Sequence, residues 1–162
     1  MMTNTLLVAL LMSVAASAQQ PPAADPHSQM NARGAHVMGF DQDKTVHEFR
    51  LHVDGGAIDI RTKDAGDRDN AIAIRAHLPH LAQMFADGNF EAPMLIHATD
   101  VPGTSEMRAA KDRIRFMYVE TGRGGRVDIF TTDAEALAAV HAFLRFQIAD
   151  HRTGDSTVVT KR

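Results

Sequence analysis

The chain contains no cysteine and no tryptophan, and it has only one tyrosine among 162 residues. Without cysteine there is no disulfide framework, no thiolate metal ligand, no catalytic thiol and no lipid-modified cysteine. The fold must therefore be stabilised by packing rather than by covalent cross-links. A chain of this length buries enough surface to fold as one domain in that way.

An excess of one sign of charge is also missing. The 17 lysine and arginine residues are scattered and face 20 aspartate and glutamate residues, which gives a formal net charge of −3. Nucleic acids and anionic membrane surfaces are bound by concentrated positive charge. We therefore predict no nucleic-acid partner and expect a small ligand, a metal ion or another protein.

The chain lacks an apolar run long enough to span a bilayer. Its N-terminal apolar stretch covers residues 6–15, which is too short to cross a hydrocarbon core of roughly 30 Å as a helix. Small residues at 16–18 follow it, as at a signal peptidase site. We predict that residues 1–18 are a signal peptide cleaved after Ala18, that the protein is periplasmic or secreted, and that it has no membrane attachment after cleavage.

Both ends of the mature chain are poor in residues that bury apolar area. Residues 19–35 are rich in Gln, Pro, Ala and Asp, a composition that predicts a flexible leader. Residues 152–162 follow the last helical pattern with Thr-Gly-Asp-Ser, which predicts a flexible tail. The single domain should then cover residues 36–151.

An internal repeat organises this domain. Residues 55–62 match residues 124–131 at an offset of 69, and residues 73–78 match residues 139–144 at an offset of 66. Each copy has an alternating strand, a glycine pair that closes a hairpin, a second strand and a helix. The copies cover about 46–88 and 113–151, and an insertion at 89–112 separates them.

The helices of the two copies are predicted over 68–86 and 134–150. Thr132 and Glu135 form a capping box ahead of the second helix, whereas Pro79 should kink the first. The insertion should contain an extended segment at 93–97 and a short helix near 106–111. We predict an α+β fold: a duplicated β-β-α unit with one antiparallel sheet of about four strands and two main helices on one face. The other sheet face would be open or covered in a homodimer.

Histidine is the over-represented chemical group, with nine residues. Imidazole is the natural ligand for zinc, copper or iron when thiolates are missing. His77 and His80 lie three residues apart on the first helix, which places them side by side. His47 lies on the inward strand face, His97 follows an apolar run, and His141 borders the apolar stripe of the second helix. These five residues are the candidate metal ligands, and the candidate cofactors are copper, zinc, iron or haem.

Each histidine also has a simpler interpretation, as a surface residue or as a buried residue with satisfied hydrogen bonds. His151 fits a cation placed at a helix C-terminus. The glycine-rich residues 122–125 fit a hairpin turn better than a phosphate cradle, and there is no Gly-x-Ser-x-Gly elbow. No catalytic residues are assigned, although an enzyme that uses one histidine as a general base is an alternative.

Four stretches of the chain resemble a family of small exported bacterial proteins: residues 38–42, residues 74–78, residues 92–94 with His97, and residues 143–148 with Thr153-Gly154-Asp155. Members of that family are often labelled aspartate carbamoyltransferase. That label implies a two-domain cytoplasmic enzyme about twice as long, with Ser-Thr-Arg-Thr and His-Pro-Thr-Gln segments. Neither segment occurs in this sequence, so the resemblance implies an exported protein and supplies no catalytic residues.

The sequence thus predicts an exported protein that binds something small through histidines, with a transition metal or haem as the first candidate. The alternative is a structural or interaction module that forms a homodimer. In that case the sheet face, or exposed aromatic residues such as Phe143 and Phe146, would contact the second subunit.

Overall fold

The structure is a computed structural model that describes residues 25–162. The predicted signal peptide and residues 19–24 of the predicted leader lie outside the described residues. The helices and strands follow in the order α1 (Pro26–Met38), β1 (Thr45–His52), β2 (Gly55–Thr62), α2 (Arg68–Ala86), α3 (Glu91–His97), α4 (Thr104–Ala109), β3 (Arg115–Thr121), β4 (Gly124–Phe130) and α5 (Ala134–Asp150).

The four strands form one antiparallel sheet in the order β1-β2-β4-β3. Helices α2 and α5 pack against it, so the α+β fold with a duplicated β-β-α unit is confirmed. Within residues 25–162, no helix has the length and apolar character needed to cross a membrane.

The strand register shows how the two copies of the repeat are related. Ile58 of β2 lies opposite Val127 of β4, and these two residues occupy the same position in the repeat. An approximate twofold axis therefore passes between the two central strands. Each main helix lies mainly over strands of the other copy: α2 packs on β3 and β4, and α5 packs on β1 and β2.

A glycine pair begins the second strand of each hairpin because the helices approach the sheet closely there. A Cβ atom on Gly56 would lie 2.2 Å from Leu144 Cδ1, and one on Gly125 would lie 3.0 Å from Leu78 Cδ1. Leu78 and Leu144 are themselves counterparts in the repeat. The glycines thus seat one leucine of each helix directly on the sheet.

Helix α1 occupies most of the segment predicted as a flexible leader. Asp25 caps the helix by accepting a hydrogen bond from the Ser28 amide, and Pro26 stands at the first helical position, where its missing N–H costs nothing. Met30 and Met38 are buried in the core. The structure differs from the prediction because these two methionines anchor a segment that is otherwise polar.

The C-terminal residues also differ from the predicted flexible tail. The Thr160 amide donates to the Leu51 carbonyl at 3.0 Å, and the Thr160 carbonyl accepts from the Val53 amide at 3.0 Å. The Arg162 guanidinium donates to Asp128 at 2.9 Å and lies 4.0 Å from the centre of the Phe130 ring. The Thr160 hydrogen bonds lie at the end of β1, the Arg162 contacts are with residues of β4, and all these partners are distant in sequence.

The prediction of an extended segment at 93–97 is wrong, because these residues belong to α3. Pro93 stands in the first turn of that helix, where proline is tolerated, and Glu91 places a negative charge at its N-terminal end. The predicted short helix at 106–111 overlaps α4. Helix α3 ends at His97, one of the five predicted metal ligands.

Candidate functional site

A cavity of about 40 Å³ lies between the sheet and the helices. Most of its wall is apolar, and its polar side chains come from β1, α3, α5 and the turn before β1. The apolar lining residues are Met38, Phe49, Ile58, Ile60, Leu81, Phe85, Ala92, Pro93, Ile96 and Phe143, and the polar ones are Gln42, His47, His97, Gln147 and His151.

Three of the polar residues are histidines whose rings touch. The rings of His47 and His151 are stacked with centroids 5.0 Å apart and planes 16° from parallel. The His97 ring meets the His151 ring edge-on, also at 5.0 Å. The strand period points His47 toward the helices, while His151 directly follows the last residue of α5. One side of the cavity is therefore formed by imidazoles.

Both ring nitrogens of His97 contact polar side chains of α5. Its Nδ1 contacts the Asp150 carboxylate, and its Nε2 lies 3.0 Å from Gln147 Oε1. Because that carbonyl end of Gln147 is used, the amide nitrogen Nε2 is buried without a hydrogen-bond partner among the described residues. Gln147 is only 5% exposed. The cavity thus contains one buried donor that the protein itself leaves unsatisfied.

Burial keeps two of the histidines neutral. Desolvation, followed by the effect of nearby His97, lowers the pKa of His47 to about 4. Desolvation, followed by the effects of His47, His97 and His27, lowers the pKa of His151 to about 2. At neutral pH each of these rings therefore offers one N–H donor and one lone-pair acceptor.

A second, more polar cleft adjoins the cavity and has a volume of about 300 Å³. Gln42, His47 and His151 line both spaces and form the boundary between them. The charged residues that line the cleft are Lys63, Arg152 and Asp43. The apolar cavity and a polar cleft with two cations and one carboxylate therefore share a wall that includes two imidazoles.

The structure brings together only two of the five predicted metal ligands, His47 and His97. His77 packs edge-on against Phe40 with ring centroids 6.3 Å apart, and His80 is exposed on α2. The ring Nε2 of His141 lies 2.9 Å from the His52 carbonyl and 3.0 Å from the Gly55 carbonyl. His141 is therefore a buried residue whose hydrogen bonds fix the β1–β2 turn to α5.

Within residues 25–162, no group of three or more histidine, aspartate or glutamate side chains is arranged to hold a metal ion. In the cavity, the stacked rings of His47 and His151 are not oriented to share a metal ion. Lone pairs of an imidazole lie in the ring plane, so two nearly parallel rings direct them side by side rather than toward one point. The cavity is also far smaller than a haem.

Sequence reasoning missed Gln147, Asp150 and His151. The interpretation of His151 as a cation at a helix terminus is wrong, because its lowered pKa keeps it neutral. The spacing of Gln147 and His151 was the available signal, since residues four apart share one helix face. The suggestion that Phe143 is an exposed contact residue is also wrong: it is 1% exposed.

Comparison of this chain with protein-family models, with curated proteins and with solved structures finds no match in any of the three.

Proposed function

We propose that this protein binds a small ligand in the cavity beside His47, His97 and His151, and that the ligand combines an acceptor oxygen with a small apolar group. The observation that carries the proposal is the unpartnered amide nitrogen of Gln147. A buried donor without a partner costs about 1 to 3 kcal/mol. A ligand oxygen placed there would recover that free energy.

The rest of the cavity agrees with such a ligand. Small-molecule sites are mostly apolar and contain a few polar groups that fix orientation. Here ten of the fifteen lining residues are apolar, and the five polar ones include three imidazoles and the Gln147 amide. The neutral rings of His47 and His151 add further donors or acceptors beside Gln147.

A transition metal is the second candidate, and two observations favour it. His47 and His151 need not lose a proton before they bind a metal, and Asp150 contacts His97 in the way that carboxylates support metal-bound histidines. Binding would require His47 or His151 to rotate out of the stack. Zn²⁺ is therefore the contrasting probe.

We further propose that the protein acts outside the cytoplasm. The apolar run at residues 6–15 and the small residues at 16–18 support export. Detection of the protein in a periplasmic fraction, with its N-terminus at Gln19, would test this part separately from ligand binding.

The ligand proposal is tested by titrating protein carrying ¹³C-labelled isoleucine methyl groups with propionamide. Saturable shifts are expected for Ile58, Ile60 and Ile96, which line the cavity, whereas Ile129 and Ile72 should not move. The Gln147→Leu variant removes the free donor and should weaken binding by about tenfold or more. His80→Gln, on the exposed face of α2, is the matched control.

Two outcomes would count against the proposal. If propionamide shifts no cavity methyl, or binds Gln147→Leu as well as the parent protein, the acceptor site does not exist. If Zn²⁺ instead binds with one-to-one stoichiometry and shifts the His47, His97 and His151 ring resonances, the metal candidate replaces it.

A further inference from the structure

The polar cleft beyond the imidazoles is lined by two cations, Lys63 and Arg152, and by one carboxylate, Asp43. Lys63 Nζ donates to the backbone carbonyl of Asp43 at 2.7 Å. No ion pair joins Lys63 to a carboxylate within the described chain. The Asp43 carboxylate also lines the cleft and accepts a hydrogen bond from Asn31 at 2.8 Å, so two cations face one carboxylate there.

Arg152 is the second cation of the cleft. Its nearest carboxylate oxygen, on Asp25, is 4.0 Å away, and the Arg152 side chain is 65% exposed. Like Lys63, it donates no hydrogen bond to a carboxylate among the described residues. Both cations line the cleft, and neither lines the apolar cavity.

We propose that the ligand of this site is a short-chain carboxylate. Its alkyl group occupies the apolar cavity, and its carboxylate lies at the boundary formed by Gln42, His47 and His151. One oxygen accepts from the free amide nitrogen of Gln147, and Lys63 and Arg152 supply the opposite charge. This inference rests on the proposed function, and it adds the charge and size of the ligand.

The size of the cavity limits the alkyl group. A cavity needs about 10 to 15 Å³ for each water molecule that it holds, so 40 Å³ accommodates about three small heavy-atom groups. Burying a carboxylate is costly unless it is paired and hydrogen-bonded. The cations of the cleft meet that requirement, and an apolar cavity without them would not.

Binding of three molecules of nearly equal size can be compared to measure the effect of ligand charge alone. Propionate, propionamide and 1-propanol share a three-carbon skeleton, but only propionate is an anion, and propionamide and propanol differ in their acceptor. We expect propionate to bind about tenfold more tightly than propionamide at low ionic strength, and propanol to bind most weakly. Added salt should lower the affinity for propionate and leave the affinities for the two neutral molecules unchanged.

Variants of the two cations sharpen this test. Lys63→Gln and Arg152→Gln should each lower the affinity for propionate severalfold and leave the affinity for propionamide unchanged. Lys111→Gln, outside the cleft, is the control and should leave both affinities unchanged.

The outcomes distinguish the two levels of the proposal. Equal affinities for propionate and propionamide, or no effect of Lys63→Gln and Arg152→Gln on propionate, would overturn the carboxylate inference and leave the acceptor site intact. Absence of binding by all three molecules would overturn the proposed function itself.

Discussion

The two main helices carry different residues at the positions that face the cavity. Where α5 has Gln147 and His151, α2 has Leu81 and Phe85 at the corresponding places of the repeat. All four residues line the same cavity. One helix therefore supplies an apolar side and the other a polar side, although both descend from the same structural unit.

The strands beneath the helices show the same contrast. His47 on β1 corresponds to Phe116 on β3. The stacked pair of His47 and His151, at 5.0 Å, thus has a counterpart in the edge-on pair of Phe116 and Phe85, at 5.7 Å. Two phenylalanine rings therefore pack at the positions of the repeat that are equivalent to His47 and His151.

This comparison indicates that the polar side is not required for folding. Phe85 is 1% exposed and packs against Phe90, Phe116 and Phe143. In the other half, the equivalent positions hold imidazoles with lowered pKa values and an amide with an unpartnered nitrogen. The polar half therefore holds groups that are costly to bury, at positions where the other half holds apolar ones, and this contrast supports the proposed binding site.

Converting the apolar half to the polar type should have the largest effect. Phe85→His should lower the free energy of unfolding by about 3 to 5 kcal/mol, because it removes a buried ring and introduces a polar group without a partner. Urea unfolding at pH 7 measures this cost. The reciprocal variant His151→Phe is the control and should retain most of the stability; a comparable loss there would mean that the imidazole is structural.

The polar half should also make stability depend on pH. The folded-state pKa values of His47 and His151 lie below the unfolded value of 6.5, so the unfolded chain takes up protons first. Their contribution to stability is complete above pH 6.5 and is lost as pH falls toward the folded-state values. Acidification from pH 7 to pH 5 should therefore cost about 2 to 4 kcal/mol in total.

The double variant His47→Phe/His151→Phe tests that assignment. It reproduces the Phe116 and Phe85 pair of the other half, and it should flatten the pH dependence of the urea midpoint between pH 7 and pH 5. An unchanged pH dependence would assign the effect to other titrating groups, such as His77, whose pKa is also lowered by burial.

Gly56 and Gly125, which lie under the helices, should differ in how well they tolerate substitution by alanine. A Cβ atom on Gly56 would lie 2.6 Å from the Arg50 carbonyl oxygen, which is backbone, whereas one on Gly125 would meet only the side chains of Tyr118 and Leu78. We expect Gly56→Ala to cost about 2 to 3 kcal/mol and Gly125→Ala about 1 kcal/mol. Thermal unfolding of both variants checks the order, and equal costs would show that the backbone contact relaxes.

The smallest expected effect concerns the Asp150 carboxylate, which contacts His97 but is 43% exposed. Asp150→Asn keeps an acceptor for His97 Nδ1 and should change the free energy of unfolding by less than about 1 kcal/mol. A loss above 2 kcal/mol would show that the charge of Asp150, rather than its hydrogen bond, holds His97 in place.

The sequence predicts the two copies of the β-β-α unit well. The strand period of two and the helical period are local properties that can be read from neighbouring residues. The ordered structure of residues 26–38 and 152–162 was not predicted because it depends on contacts with distant parts of the chain. Met30 is buried in the core, and Arg162 donates to Asp128. The same reason explains the incomplete site. His47 and His97 were identified individually, but their proximity to His151 arises only when α3 and the end of α5 meet over β1.

A crystal structure of the protein soaked with propionamide tests the central claim most directly. The account predicts the ligand in the cavity between α2 and α5, with its oxygen within hydrogen-bonding distance of Gln147 Nε2 and its ethyl group against Leu81 and Phe85. An empty or water-filled cavity at saturating propionamide, or a ligand bound elsewhere on the molecule, would contradict it.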